Sequence, residues 1–451
     1  MQVWCEMAWL GGPIATPGVL LDVDGDRIAS VRTGVAAPPA GSEILTGLTL
    51  PGIANAHSHC FHRVLRGRTQ VGEGSFWTWR EQMYAAAARL TPALYHQLAI
   101  GVFAEMVMAG YTTVGEFHYV HHQLDGSPYA QAHEMELALI DAAQVAGIRL
   151  TLLDTCYLHG GIGQSLEALQ LRFSDASVEA WVTRVSGLVD AVGSNPLVRV
   201  GAAIHSVRAV SPAEAAVVAV WASQRRVPLH AHVSEQPLEN QQCMDAYGAT
   251  PTSVLDTAGA LRSAGGFCAV HATHLADDDV RAYGSASAFV CFCPTTERDL
   301  ADGIGPSVTL RDAGARLCVG SDSHAVLDPF EELRAMELNE RLSTGGRGNF
   351  GAAQLLEAGS ANAMAALGWP DGGRLGEGAL ADLVCVRLDG VQLAGAAPSH
   401  VLESVLYAGG PRDVDAVMVS GRFVVRSGLH QSVNDVAERL RQSIGAIVAE
   451  S

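Results

Sequence analysis

The sequence is short of charge, and the charge it has leans to one sign. Only 17% of its 451 residues are charged, with 47 Asp and Glu against 29 Lys and Arg, a formal −18 at pH 7. Neutralising phosphates needs a basic face, so this balance argues against nucleic acid as a partner. Long apolar runs are also missing: none approaches the ~20 residues that span a bilayer, and the stretch around Val217 to Trp221 is bounded by Glu214 and Gln224. The start, Met1 to Leu10, shows no basic segment leading into an apolar one and a small-residue cleavage site, so the expectation is a soluble cytoplasmic protein without a membrane partner. The nine cysteines are odd in number, scattered and free of any C-x-x-C, which supplies neither a disulfide framework nor a zinc ribbon. There is no internal repeat, and Gly160-Gly-Ile-Gly lacks the strand-then-helix setting of a phosphate loop and reads as a turn.

What is present is a globular composition, 48% hydrophobic, long enough for roughly three domains or for one large α/β barrel with accessory strands. The first fifty residues hold short β-like runs, Gly18-Val-Leu-Leu-Asp-Val and Arg27-Ile-Ala-Ser-Val, which read as a small antiparallel sheet. Similar runs return at Ala381-Asp-Leu-Val-Cys-Val-Arg, Asp415-Ala-Val-Met-Val-Ser and Gly421-Arg-Phe-Val-Val, so both termini are expected to build one β-sandwich. Between them, apolar runs alternate with helical stretches, the pattern of βα units. Candidate strands are Leu48 to Ala56, Thr112 to Phe117, Arg149 to Thr155, Val198 to Ile204, Val227 to His232, Phe267 to His271, Ala288 to Phe292 and Arg316 to Gly320. This predicts an α/β fold, a (β/α)8 TIM barrel over residues 50–370, with the sandwich split between 1–49 and 371–451 and a terminal helix over Val433 to Val448.

Such a barrel carries its chemistry at the C-terminal ends of its strands. His57 and His59 end the first strand, and the two-residue period of a strand points both the same way. His232 ends the fifth, His271 the sixth, and Asp322 follows the eighth. Neutral imidazoles and a carboxylate converging on one face suit a catalytic divalent zinc with water in its open position. One His-x-His alone is more often a loop or capping feature; His or Asp at four of eight strand ends favours the metal. Glu235, three residues past His232, can face a metal's water without ligating, its plainer role being charge at a helix N-terminus. His118, His121 and His122 follow the second strand and are expected to line the pocket. His96, His133, His400 and His430 are expected at the surface, and Cys291 with Cys293 in the core.

Leu48-Thr-Leu-Pro-Gly-Ile-Ala-Asn-Ala-His-Ser-His, His232 with Glu235, His271, Gly320-Ser-Asp and Gly376-Glu-Gly-Ala-Leu-Ala-Asp-Leu-Val together resemble the amidohydrolase superfamily over nearly the whole chain. The lack of a strand-four lysine, with Glu235 present, is similar to its mononuclear deaminase branch. That resemblance implies one divalent metal per chain, Zn2+ before Fe2+ or Mn2+, held by His57, His59, His232 and Asp322. Phe61-His-Arg-Val-Leu-Arg-Gly-Arg-Thr, Phe76-Trp-Thr-Trp-Arg-Glu-Gln-Met-Tyr, Gly115-Glu-Phe-His-Tyr-Val-His-His and His205-Ser-Val-Arg-Ala-Val resemble the formimidoylglutamate deiminase family. The implied substrate is a small dicarboxylate touched by Arg80, Tyr119, His205 and Arg208, and a homodimer is expected. Where some members of that family have glutamine after His-Ser-His-x-Phe, this chain has His62, whose imidazole can donate to a carboxylate.

The implied reaction hydrolyses N-formimidoyl-L-glutamate to N-formyl-L-glutamate and ammonia, a step of histidine degradation. Asp322 would act as base as well as ligand, His271 would orient the attacking water and Glu235 would protonate the leaving nitrogen. A purine, pterin or triazine deaminase is the nearest alternative, with Trp77 or Trp79 to stack a ring; a catalytically inactive scaffold is the other, opposed by the complete set of site residues.

Overall fold

The computed structural model describes residues 1–72 and 74–448, leaving aside the side chain of Trp77. Among the described residues the strands form two eight-stranded sheets. The first takes β1 (Gln2–Ala8), β2 (Thr16–Asp24), β3 (Arg27–Arg32) and β4 (Glu43–Pro51) from the front of the chain. The second is the barrel: β5 (Ile53–Ser58), β6 (Tyr111–His118), β7 (Arg149–Cys156), β8 (Val198–Ile204), β9 (Leu229–Val233), β10 (Phe267–His271), β11 (Phe289–Phe292) and β12 (Arg316–Val319). The chain then returns to the first sheet with β13 (Leu383–Val386), β14 (Val414–Val419), β15 (Arg422–Arg426) and β16 (Leu429–His430).

The barrel strands are parallel and lie in chain order from β5 to β12. The ends of that sheet meet at a parallel bridge between Ser58 and Asp322. Gly320 permits the meeting, because a Cβ there would lie 2.7 Å from both the Cβ and the carbonyl oxygen of His57. Asn55 completes the seam: its side chain donates to the Ser321 hydroxyl at 2.7 Å and accepts from the Ser321 amide at 2.9 Å.

The first sheet runs β16-β15-β14-β13-β4-β1-β2-β3, so strands from both termini are hydrogen-bonded to one another. β4 is parallel to β1 and antiparallel to β13, which corrects the expectation of an antiparallel N-terminal sheet: the sheet is mixed. Ile28 on the far edge strand exchanges backbone bonds with Ala379 and Gly378, folding the sheet over its own core. Strand alternation explains how it serves two cores. Leu383, Cys385 and Met418 face the sandwich interior, while Val384, Val386, Val417 and Val419 join the main core shared with the barrel.

The expected first barrel strand, Leu48 to Ala56, is in fact two strands in different sheets, divided at Pro51-Gly52. Gly52 is where the sheets touch, since a Cβ there would stand 2.4 Å from Thr112 Oγ1 and 2.8 Å from Asp382 Cβ. The terminal helix Val436–Val448 packs on helix Pro92–Ala109, with Leu440 seated over Gly101.

Candidate active site

The β5 and β12 ends are locked by two backbone bonds, Asp322 N–H to the His57 carbonyl at 3.0 Å and His59 N–H to the Asp322 carbonyl at 3.2 Å. Several residues at the strand ends adopt the left-handed conformation disfavoured for any residue with a Cβ: Ser234 after β9, His271 and Ala272 at β10, and Asp322 after β12, with φ of 52°, 68°, 50° and 42°. Each costs roughly 1–3 kcal/mol and persists only where surrounding packing dictates it, a hallmark of functional sites.

His57, His59 and His232 bring their ligand atoms within 4.8 Å of one another, as do His57, His271 and Asp322, and His59, His62 and Asp322. The inner geometry is close: His57 Nε2 lies 3.1 Å from His232 Nε2, and both His57 Nε2 and His59 Nε2 lie 3.4 Å from Asp322 Oδ1. The outer nitrogens are disposed of differently. His59 Nδ1–H donates to the Phe117 carbonyl at 2.8 Å and His232 Nδ1–H to the His205 carbonyl at 2.9 Å. With the proton fixed on Nδ1, the lone pair sits on Nε2 and faces inward. Burial, with neighbouring imidazoles, pushes His57 and His232 well below the ordinary histidine range and brings His59 to about 3, so the rings are neutral at physiological pH. Neutral imidazoles converging beside a carboxylate fit a divalent metal, and without a cation those inward lone pairs would repel.

Glu116 on β6 supports the turn that carries the two leading histidines, a role the Gly115-Glu-Phe-His motif gave no sign of. It accepts from the Ser58 hydroxyl and the Cys60 amide, both at 2.6 Å. Burial pushes its carboxyl up to about 7 despite those bonds.

Glu235 stands past β9 with its carboxylate held by Arg208, Nη2 to Oε2 at 2.9 Å, while its amide donates to Glu239 at 3.1 Å. His271 Nε2 lies 3.8 Å from both Glu235 Oε1 and Asp322 Oδ2, midway between two carboxylates. Burial opposes charge on His271, yet Glu235, Glu297 and Asp322 overcome it and raise the imidazole to about 10.

The pocket opening onto this cluster is lined by His62, Arg80, Tyr119, His205 and Arg208, the five residues expected from sequence to touch substrate. His62 Nε2 and the Tyr119 hydroxyl are 3.0 Å apart. Arg208 is less available than expected, since part of its guanidinium is engaged by Glu235. Sequence reasoning missed Tyr84, Tyr157, His159 and Phe173, which line the same pocket. Trp79 lines it too, whereas the side chain of Trp77 lies outside the described residues.

His118, His121 and His122 do not line the pocket. They are buried, with His121 donating to Glu136 at 2.7 Å and His122 to Asp175 at 2.9 Å, and Arg184 bridges Glu136, Asp154 and Asp175. His118, His121 and Glu136 could geometrically hold a cation, but the Arg184 guanidinium already stands 3.1 Å from the Glu136 oxygen. His430 is likewise buried, bonded to the Ala146 carbonyl, and not at the surface.

These features, a parallel eight-stranded barrel with a two-ended sandwich and a histidine–aspartate cluster at its mouth, define a class that comparison with known proteins identifies. The amidohydrolase family model matches residues 48–424, and the chain belongs to that family, enzymes that hydrolyse carbon–nitrogen bonds. It is 38% identical over 449 residues to a formimidoylglutamate deiminase from Pseudomonas aeruginosa, covering 96% of this chain and 95% of that one. It is 27% identical over 463 residues to an 8-oxoguanine deaminase from the same organism, covering 98% and 99%. The crystal structure of an amidohydrolase from Brucella melitensis superposes with a TM-score of 0.92 at 31% identity, over 99% of this chain and 100% of that one. No helix among the described residues is long and apolar enough to cross a membrane. The sequence contains no lysine at all, so no lysine is available to bridge a second metal.

Proposed function

We propose that the chain hydrolyses N-formimidoyl-L-glutamate to N-formyl-L-glutamate and ammonia. The observation that carries the reading is the pairing of a metal-competent cluster with a pocket that offers two arginines, Arg80 and Arg208, beside Tyr119, His62 and His205. Guanidinium forks suit carboxylates, and a ring substrate has no need of them. The identity to the P. aeruginosa deiminase supports the same reading.

His57, His59, His232 and Asp322 would hold one divalent ion, Zn2+ being the best match to the donor set. Such an ion supplies activated water, lowering its pKa from about 16 toward about 7. The chain's own groups do the proton work. Asp322 accepts a proton as the water oxygen bonds to the formimidoyl carbon. Glu235 delivers one proton to the terminal nitrogen; as that nitrogen's bond to carbon breaks, the Asp322 proton passes to it and it leaves as ammonia, while the proton on the added oxygen returns to Glu235 and the formyl carbonyl forms. His271, between the two carboxylates, orients the attacking water. Arg208 fixes the Glu235 carboxylate and turns its remaining N–H groups to the substrate.

The aromatic wall of Phe76, Trp79 and Phe173 also suits a flat ring, which keeps a ring deaminase as the second reading. Ammonia release from N-formimidoyl-L-glutamate set beside that from guanine separates the two.

A further inference from the structure

The pocket wall holds a hydrogen-bond relay that the proposed proton transfers do not use. Gln170 is fully buried, on the short 3-10 turn Ala168–Phe173, and its amide orientation is dictated by chemistry. Its Oε1 accepts from the Glu167 backbone N–H at 2.7 Å, and a backbone N–H can only donate. The Nε2 group must therefore face the other way, where it donates to two phenols, Tyr84 at 3.0 Å and Tyr157 at 3.1 Å. The two amide protons are used, one per phenol.

This fixes the polarity of both tyrosines. Each oxygen already accepts from Gln170, and the Tyr157 oxygen from Arg80 as well, so each must look elsewhere for a place to donate. Either phenol can donate to the other, but whichever does so leaves the second with a proton and no described acceptor. Arg80 sits over the Tyr84 ring, its guanidinium carbon 5.1 Å from the ring centre, and adds its positive charge to the same corner. Burial pushes the Tyr157 and Tyr119 phenols further up than usual, so both stay protonated. Tyr84 and Tyr157 between them thus hold one phenol proton more than their described acceptors take, and a carboxylate completes them. The corner is also set back from the cluster: His205 lies between, 5.2 Å from the His232 ring and 4.6 Å from the Tyr157 ring.

We propose that Tyr84 and Tyr157 form the subsite for the substrate's distal, side-chain carboxylate, and that Gln170 is the positioning residue that makes them donors. The proposal rests on reading the pocket as a dicarboxylate site, and deepens it by assigning one carboxylate. A neutral amide at that end would present N–H groups to a donor-rich corner and be disfavoured, because buried unpaired polar groups are costly.

Gln170→Glu is the test, since it keeps the shape and reverses the polarity. The introduced carboxylate can only accept, so both phenolic protons turn toward it and their oxygens become acceptors on the pocket side. Steady-state kinetics on N-formimidoyl-L-glutamate and on its side-chain amide, N-formimidoyl-L-glutamine, read the change. We expect KM for the acid to rise at least about tenfold with kcat altered far less, and the acid-over-amide ratio of kcat/KM to fall at least about tenfold. Tyr84→Phe, which removes one donor and keeps the ring, should move the ratio the same way. An unchanged ratio in both folded variants overturns the proposal. If the wild type turns over neither compound, the substrate reading itself falls. Glutarate binding by calorimetry then decides the subsite: at least about tenfold weaker in Gln170→Glu supports it, and equal affinity refutes it.

Discussion

An imidazole that ligates must keep one lone pair facing inward and find a home for the proton on its other nitrogen. His59 and His232 meet both conditions through the carbonyls of Phe117 and His205, which leaves each ring poised to ligate. At this scale the cluster of His57, His59, His232 and Asp322 was legible because barrel chemistry gathers at strand ends and these residues stood there. Tyr84, Tyr157 and Gln170 were not, because a helix, a strand-end loop and a 3-10 turn bring them together from places with no shared sequence period. Two outcomes follow for single residues. Glu235→Gln should lower kcat by about 10²–10⁴-fold while metal analysis still finds the wild-type content, because the proposed role of the residue is to move a proton without ligating. Arg208→Met should raise KM and lower kcat together, because this guanidinium also steadies Glu235; a change in KM alone would mean the 2.9 Å pair is catalytically idle.

Among the elements, the joints matter more than the strands. Leu48 to Ala56 is buried throughout, Thr49 and Asn55 included, because the end of β4 and all of β5 lie in the interior, and with no exposed face to mark a change of sheet, periodicity cannot find the break. Glycine marks it instead. Gly320 has the same meaning at the seam of the barrel, where β12 passes against His57. Adding one methyl there, Gly320→Ala, should push His57 out of register, lower metal content and cost about 1–3 kcal/mol of stability. Metal analysis with denaturant unfolding checks both; retention of full metal occupancy would show that the seam does not position the cluster.

Across the whole molecule, the two sheets are tied by a fully buried ion pair. Arg149 on β7 grips Asp382, just before β13, through two bonds of 2.6 and 3.1 Å, and Asp382 also accepts from the Ser420 amide at 2.7 Å. Asp382 lies in the Gly376-Glu-Gly-Ala-Leu-Ala-Asp-Leu-Val segment that resembles the superfamily, and its contacts give that position a structural purpose. Asp382→Asn should destabilise the protein by about 3–5 kcal/mol, since it leaves the Arg149 cation buried without a counter-charge. The kcat of the folded fraction should hold; a fall in kcat at unchanged stability would contradict that assignment.

Net charge, too, reads differently at this scale. The −18 spread over the chain argued against nucleic acid, yet the pocket concentrates Arg80 and Arg208 next to a cluster suited to a divalent cation. An acidic protein can therefore take an anion, provided the site supplies the local field. The central claim is that this field selects a formimidoyl dicarboxylate, and the direct measurement is kcat/KM for ammonia release from N-formimidoyl-L-glutamate and from guanine on one zinc-loaded preparation. A value within about 10⁴–10⁸ M⁻¹s⁻¹ for the dicarboxylate, at least about a hundredfold above guanine, is the predicted result. Faster release from guanine, or none from the dicarboxylate, would contradict it.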